Sequence, residues 1–324
     1  MKKISLLGLL IVAIIAISAC NDKKGNGGKN ALRDDTETSG FAVVAGEDCF
    51  APIVEELINV FEGVNKDAYV QFVNTSEHEA FNMLLDDSVR MIIAARDLTK
   101  EEKDHIKSKD RSLNPRSQKI AIDGVALIIN KANTDSLMSL STLKKIMTGE
   151  ITSWKQINPQ SKLDNISVLF DSPSSSTVRF MKDSICGGSA LYSELRAQKS
   201  NKDVLEKVSK TPEALGIIGV NWIHKPIIDS TKMHFSDIIR VVSVSRSDVA
   251  TPDNSYKPYA AYLAFGDYPL RRDIYAILTD LRETLPAGFM KYLTGNPGQR
   301  VVLKSGLLPA IAPTRLVEIQ DNMK

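Results

Sequence analysis

The sequence predicts an α/β fold, a mainly parallel sheet with helices on its faces. Three observations carry this. Apolar runs of strand length alternate with helix-period segments along the first third of the chain. Two capping-box pairs, Ser76/Glu79 and Thr99/Glu102, mark where helices open. After a polar leader about 285 residues remain, 43% apolar for the whole chain, enough for two ordinary lobes or one large domain.

The N-terminus stands apart from the fold. MKKISLLGLLIVAIIAISAC carries a basic start at Lys2 and Lys3, then an apolar run over 4–19 that is short for a membrane span and suited to export. It ends Ile17-Ser18-Ala19-Cys20, similar to the bacterial lipoprotein signal, in which the cysteine is acylated and becomes the first residue. Residues 1–20 are therefore expected to be a lipoprotein signal, with Cys20 holding the chain to a membrane of the cell envelope. An ordinary signal peptide or an uncleaved anchor is the alternative. Residues 21–40 are polar, glycine-bearing and free of aromatics, the composition of a flexible tether.

From there the elements follow in order. FAVVAG (41–46) reads as a buried strand, and Ile53, Val54, Leu57, Ile58 and Phe61 recur at helical spacing behind Pro52. AYVQFVNT (68–75) is a second strand, followed by a helix from Ser76 to about Asp87. VRMIIAA (89–95) is a third, followed by the charged helix that Thr99 caps. IAIDGVALIINK (120–131) is a long strand passing from one lobe into another. A helix over LSTLKKIMTG stops at Gly149, and ISVLF leads into the helix SSTVRFMKDSICGG, closed at Gly187-Gly188. Pro212 opens a further short helix before the buried strand ALGIIGV (214–220). AAYLAFGDYPLRRDIYAIL (260–278) is another extended run, and two helical pieces flank Gly295–Pro297.

Composition narrows function. The formal charge of +2 comes from Lys2 and Lys3; without them 39 basic residues face 39 acidic ones, so no basic patch points to nucleic acid. Cys49 and Cys186 are the cysteines left after Cys20, read as two buried thiols rather than a disulfide framework. The four histidines show no ligand spacing, and CxxC, HExxH and GxSxG are absent. No metal, cofactor or enzymatic turnover is expected.

The stretch FDSPSSSTVRF (170–180) places four serines and a threonine where a strand ends and a helix begins. Sheets of this kind bind ligands beyond the carboxyl ends of their strands, and a helix N-terminus offers free N–H groups and partial positive charge. Ser175, Ser176, Thr177 and Arg179 are thus candidate anion contacts, with a solvated helix cap as the bland alternative. The ends of the first and third strands supply further candidates: Asp48, Cys49 and Phe50, and Arg96. Cys49 at a helix start would have a lowered thiol pKa if exposed. Trp154 and Trp222, and Asp123 and Tyr268 on the long strands, read as packing residues, the latter two alternatively as lining of the cleft.

Seven stretches in series resemble the substrate-binding proteins of phosphate ABC transporters, a branch of the type II periplasmic binding proteins. They are MIIAARDLTKEE (91–102), DGVALIINK (123–131), LSTLKKIMTGEITSW (140–154), SPSSSTVRF (172–180), EALGIIGVNW (213–222), YPLRRDIYAIL (268–278) and FMKYLTGNPGQRVVLKSGLLP (289–309). The resemblance implies two α/β lobes, 41–122 with 271–324 and 123–270, and a ligand cleft between them. It implies a monomer that captures phosphate or a similar oxyanion and delivers it to a membrane permease. Carried over, the family's Ser-Gly-Thr turn corresponds to Ser175, Ser176 and Thr177, with Ser176 where glycine is usual. The family's arginine before that turn corresponds to Asp171, and its proton-accepting aspartate to Arg96, as if the pair had exchanged lobes. Asp171 would then accept the ligand's proton and Arg96 supply charge; a one-residue shift would make Asp97 the acid. Glu47 and Asp48 depart from the pattern, because two carboxylates repel an anion unless they point away. That departure leaves open a divergent binding protein serving as a sensor or taking another ligand; a phosphoester hydrolase on the same scaffold is the third reading.

Overall fold

The first apolar run forms β1 (Ser39–Glu47), followed by a 3-10 turn over Asp48–Phe50 and α1 (Ala51–Val64). β2 (Asp67–Thr75), α2 (Glu77–Leu85), β3 (Met91–Ala94), α3 (Lys100–Lys109) and β4 (Arg116–Asn130) complete the predicted alternation. Parallel pairing of β1 with both β2 and β3 follows from the helical crossovers between them. The structure, a computed structural model, describes residues 35–111, 113–225, 234–280 and 282–311. The predicted signal, Cys20 and the tether as far as residue 34 lie outside these residues.

The second half of the chain adds β5 (Leu137–Ser139), α4 (Leu140–Thr148), α5 (Trp154–Ile157), β6 (Ser167–Phe170) and α6 (Ser176–Phe180), which runs on as a π-helical turn over Met181–Ile185. Next come β7 (Arg196–Ala197), α7 (Asn201–Lys210) and β8 (Ala214–Gly219). The short strands β9 (His224–Lys225), β10 (His234–Phe235), β11 (Ile239–Val241), β12 (Ser243–Ser245) and β13 (Ser255–Tyr256) precede α8 (Ala260–Phe265). The chain closes its described part with β14 (Arg271–Leu278), α9 (Leu285–Thr294), α10 (Asn296–Lys304) and β15 (Leu308–Pro309).

Ten strands make one mixed sheet in the order β2-β1-β3-β14-β4-β8-β6-β7, with β11 and β15 also on β4. β4 is the spine of the molecule. Its first part, through Gly124, pairs antiparallel with β14, and Val125–Ile129 pairs antiparallel with β8. The change of partner falls at Asp123–Val125, where the chain passes between the two halves of this two-lobed α/β fold. One apolar cluster gathers α1, α9 and α10 against β1 and β14; a second packs Met147, Trp154, Phe170 and Tyr268 against the far end of β4.

Local signals hold at most element ends. Thr99 and Glu102 form a full capping box, whereas Ser76 accepts from the Glu79 amide without the reciprocal bond. Gly149 ends α4 in the left-handed region at φ 83°, where a side chain would be strained. Three expectations change. Pro212 lies in a turn after α7, not at a helix start; the helix is the preceding NKDVLEKVSK, whose Val204 and Val208 are buried. Residues 260–265 are helical, not extended, because the αL cap at Gly266 divides the run from β14. The tether ends earlier than expected: Asp35 accepts a hydrogen bond from the first amide of α9, Leu285, and Glu37 pairs with Lys291.

Candidate functional site

The carboxyl ends of β1 and β6, the turns that follow them and the middle of β4 and β14 meet at one buried point. Along β1 the side chains of Phe41, Val43, Ala45 and Glu47 share a face by strand alternation. That face is exposed at Phe41 and covered by Glu47, which is 2% exposed. Gly219 at the end of β8 leaves room for the 48–50 turn, since a Cβ there would lie 3.2 Å from the Cys49 carbonyl oxygen. The 48–50 turn is gripped from the other half of the chain, with Asn221 Nδ2 donating to the Cys49 carbonyl at 2.9 Å and Trp222 Nε1 to the Asp48 carbonyl at 3.0 Å.

Two consecutive carboxylates of β1 and its turn cap two helices of the other half. Ser175 is the N-cap of α6, its hydroxyl accepting from Val178, so the amide of Ser176 has no partner within the helix. That amide donates to Glu47 Oε2 at 2.9 Å, and the Ser176 hydroxyl and the Cys49 thiol both donate to Glu47 Oε1. Asp48 turns to α7 instead: Asn201 donates to Asp48 Oδ2 from its backbone at 2.6 Å and from Nδ2 at 2.8 Å. Asn201 also donates to Asp171 Oδ2 at 3.1 Å.

Arg272 supplies the positive charge. It sits directly opposite Asp123 in the β14–β4 register, and its Nε donates to Asp123 Oδ2 at 2.9 Å. Its Nη1 reaches the Ser176 hydroxyl at 2.7 Å and the Thr177 hydroxyl at 3.3 Å, and Nη2 the Cys49 sulfur at 3.3 Å. The Phe50 ring lies under the guanidinium, 4.9 Å from its carbon.

Burial sets the protonation of this cluster. It raises Glu47 from the ordinary carboxylate range to about 7; Arg272 opposes the shift, while Glu77 and Asp171 add to it. Burial likewise pushes Asp123 up against the pull of Arg272, and pushes up Asp171. Cys49 goes well above the usual thiol value through burial and the neighbouring Glu47. The lowering expected of an exposed thiol at a helix start does not occur, because the thiol is fully covered. Arg272 is held charged: burial acts to discharge it, but Cys49, Asp123 and Glu47 together prevail.

The structure therefore brings together Cys49, Phe50, Asp171, Ser175, Ser176 and Thr177, with Asp48 one shell away on Asn201. Arg96 does not join them. Its guanidinium makes paired 2.8 Å bonds to Glu102 and stacks 3.5 Å over Phe81, because the capping glutamate of α3 is the nearer carboxylate. Asp97, the one-residue-shifted candidate, pairs with Lys103. Arg179 binds Glu77 of α2 through two bonds of 2.7 and 3.0 Å, joining the halves beside the cluster. Tyr268 is buried, with its hydroxyl on the Val125 carbonyl at 2.6 Å, and Trp154 is wholly buried; both pack as expected.

Sequence reasoning missed two members. Glu47 was noted as a departure, but its inward direction was not predicted. Arg272 lay within YPLRRDIYAIL, where a period-2 reading places it in phase with buried Ile274 and Ala276. A charge on the buried face of a strand was the available signal. Cys49 and Cys186 are both free and buried. Among the described residues no three His, Cys, Asp or Glu side chains are placed to hold a metal ion together. A groove of about 950 Å³ between Pro52, Glu56, Arg300 and Lys304 meets the cluster's surroundings at Asn221 but is lined by neither Glu47 nor Arg272.

A buried arginine, two hydroxyls and the amide that opens α6 converge on one point. In this structure the Glu47 carboxylate holds that position. Comparison with known proteins agrees with the architecture. A family model of the PBP superfamily domain matches residues 33–297. The phosphate-binding protein PstS of Staphylococcus epidermidis is 25% identical over 305 residues, covering 92% of this chain and 87% of its own. The protein of the same name from Borreliella burgdorferi is 24% identical over 271 residues, covering 82% and 88%. A Clostridium perfringens structure described as a phosphate ABC transporter substrate-binding protein with bound phosphate superposes with a TM-score of 0.69 at 20% identity, covering 84% of this chain and all of the other. With a matching family model over most of its length and the same two-lobed fold, the chain belongs to the PBP superfamily.

Proposed function

We propose that this protein is an exported solute-binding protein that captures inorganic phosphate or a phosphate-like oxyanion and passes it to an ABC permease. The lobes are residues 41–122 with 271–324 and residues 123–270, and they close over the ligand about the strands that cross at Asp123–Val125 and Arg272. The protein acts as a monomer, tethered to the cell envelope through lipidated Cys20, and performs no chemistry on its ligand.

The observation that carries the reading is Arg272, which joins Asp123 of the long strand to the Ser176 and Thr177 hydroxyls of the opposite turn. A ligand bound there touches both halves, and only such differential contact drives closure. Relatives bearing the name phosphate-binding protein over most of the chain support the choice of anion. Asp171, buried beside the turn and held by Asn201, would accept a hydrogen bond from a protonated ligand in its ionised form, against the upward push of burial on its carboxyl.

Calorimetric titration of the dialysed protein with phosphate and with sulfate at pH 7 tests this, alongside a turnover assay on a generic phosphate ester. Phosphate binding, sulfate ignored and no turnover is the expected result. Silence with both anions from pH 5.5 to 8.5 would favour the second reading, a sensor or receptor for another ligand, which the inward Glu47 supports.

A further inference from the structure

The groups that would hold an oxyanion already hold one that belongs to the chain. Glu47 takes the free amide of Ser176 at 2.9 Å together with the Ser176 hydroxyl and the Cys49 thiol. Arg272 is bound to that same hydroxyl at 2.7 Å. The Ser176 amide and hydroxyl are thus both in use, and no second anion can accept from that amide while Glu47 does. The neighbouring Asp48 shows that a carboxylate in this turn can be directed elsewhere, since it caps α7 through Asn201. The inward direction of Glu47 is therefore specific to that residue.

Charge makes the same point. Facing Glu47 are Arg272 from β14, Asp171 at the end of β6, Cys49 from its own turn and Glu77 from α2, while Asp123 from β4 pairs with Arg272. Glu77 is neutralised by Arg179, and Arg272 by Asp123. Among the described residues that interact with Glu47, no cation is left over for an added phosphate while Glu47 is ionised, and two anions side by side in a buried site repel strongly.

We propose that Glu47 is a tethered stand-in for the ligand, and that phosphate is captured only as Glu47 takes up a proton and yields the Ser176 amide. This rests on the reading of the site as a phosphate receptor. Protonation removes the competing charge and converts an acceptor into a donor toward a phosphate oxygen. Glu47 is thereby the residue that determines which anion binds and in what proton state. With its carboxyl raised to about 7 by burial, the change falls close to neutral pH.

The test compares inorganic phosphate titrations of the wild-type protein, Glu47→Gln and Glu47→Ala at pH 5.5, 7 and 8.5, each in two buffers of different ionisation enthalpy. Gln keeps the shape and removes the charge; Ala keeps the readout if Gln fails to fold. The expected result is tighter binding by the variants at pH 8.5, by about thirtyfold for a group that titrates near 7, since each pH unit is a factor of ten. The gap closes toward pH 5.5, and the variants lack the proton uptake that accompanies wild-type binding. Equal affinities at every pH, or weaker binding by both variants throughout, overturn the stand-in while leaving the phosphate receptor intact. No binding by any of the three at any pH overturns both.

Discussion

Replacing Arg272 by Met tests whether the cluster is held together as the geometry requires. The Arg272 side chain is 3% exposed and that of Asp123 wholly buried, with 2.9 Å between them. Met fills much of the same volume, so the cost is electrostatic rather than a cavity. Removing one member of a buried pair leaves the other uncompensated and costs about 3–5 kcal/mol. For a body of this size each kcal/mol is worth about 2 °C, so the melting temperature should fall by about 6–10 °C. Asp123 answers by binding a proton. Its carboxyl, already raised by burial, rises further when the guanidinium goes. The deficit should then widen as the pH is raised, because a carboxyl that holds its proton more tightly when folded loses its contribution in alkali. The assay is urea unfolding of the wild type, Arg272→Met, Asp123→Asn and the double variant at pH 6 and pH 8. A coupling of about 2 kcal/mol or more between the two positions is expected. A loss below about 1 kcal/mol for Arg272→Met, or simple additivity in the double variant, would refute a buried, mutually dependent pair.

Stability of the wild type should itself depend on pH through Glu47. Burial raises the folded carboxyl to about 7 from its ordinary 4.5, so its contribution is complete below about pH 4.5 and is lost as the pH rises through 7. The loss is about 3 kcal/mol; unfolding midpoints from pH 4.5 to 8 should fall more steeply for wild type than for Glu47→Gln, and parallel curves would contradict the burial. Arg179→Ala should cost about 1–3 kcal/mol, at the low end because Arg179 is 36% exposed while Glu77 is 6% exposed. Arg179→Lys should recover part of it, since one ammonium cannot reproduce two guanidinium bonds; chemical denaturation measures both, and an unchanged midpoint for the alanine variant would show that the pair joins nothing.

Most of the framework was legible in the sequence because its signals are local. Thr99 and Glu102 lie three residues apart and their capping box needs nothing else to form. The α1 spacing of Ile53, Val54, Leu57, Ile58 and Phe61 and the glycine after Thr148 are equally short-range, and the structure places a helix and a helix end there. The seven family-like stretches imply the two-lobed architecture from the order of residues alone. The hydroxyl turn was found for the same reason: Ser175, Ser176 and Thr177 are adjacent, and a strand end followed by a helix start can be read from eleven residues.

What joins that turn could not be read in the same way. Glu47, Asp123, Ser176 and Arg272 come from four elements spread over most of the chain, and their meeting depends on the β14–β4 register that sets Arg272 opposite Asp123. Arg96 looked equally able to supply charge, and only the approach of Glu102 decided otherwise. Glu47 and Asp48 are neighbours of the same chemistry, yet one turns to α6 and the other to α7. The alternation of elements, the caps and the hydroxyl-rich turn are set by the order of residues alone, since those follow from periodicity and short-range hydrogen bonding. The tertiary structure alone decided which charges are buried together, because desolvation and ion pairing act between residues that touch in space, however far apart they lie in the chain.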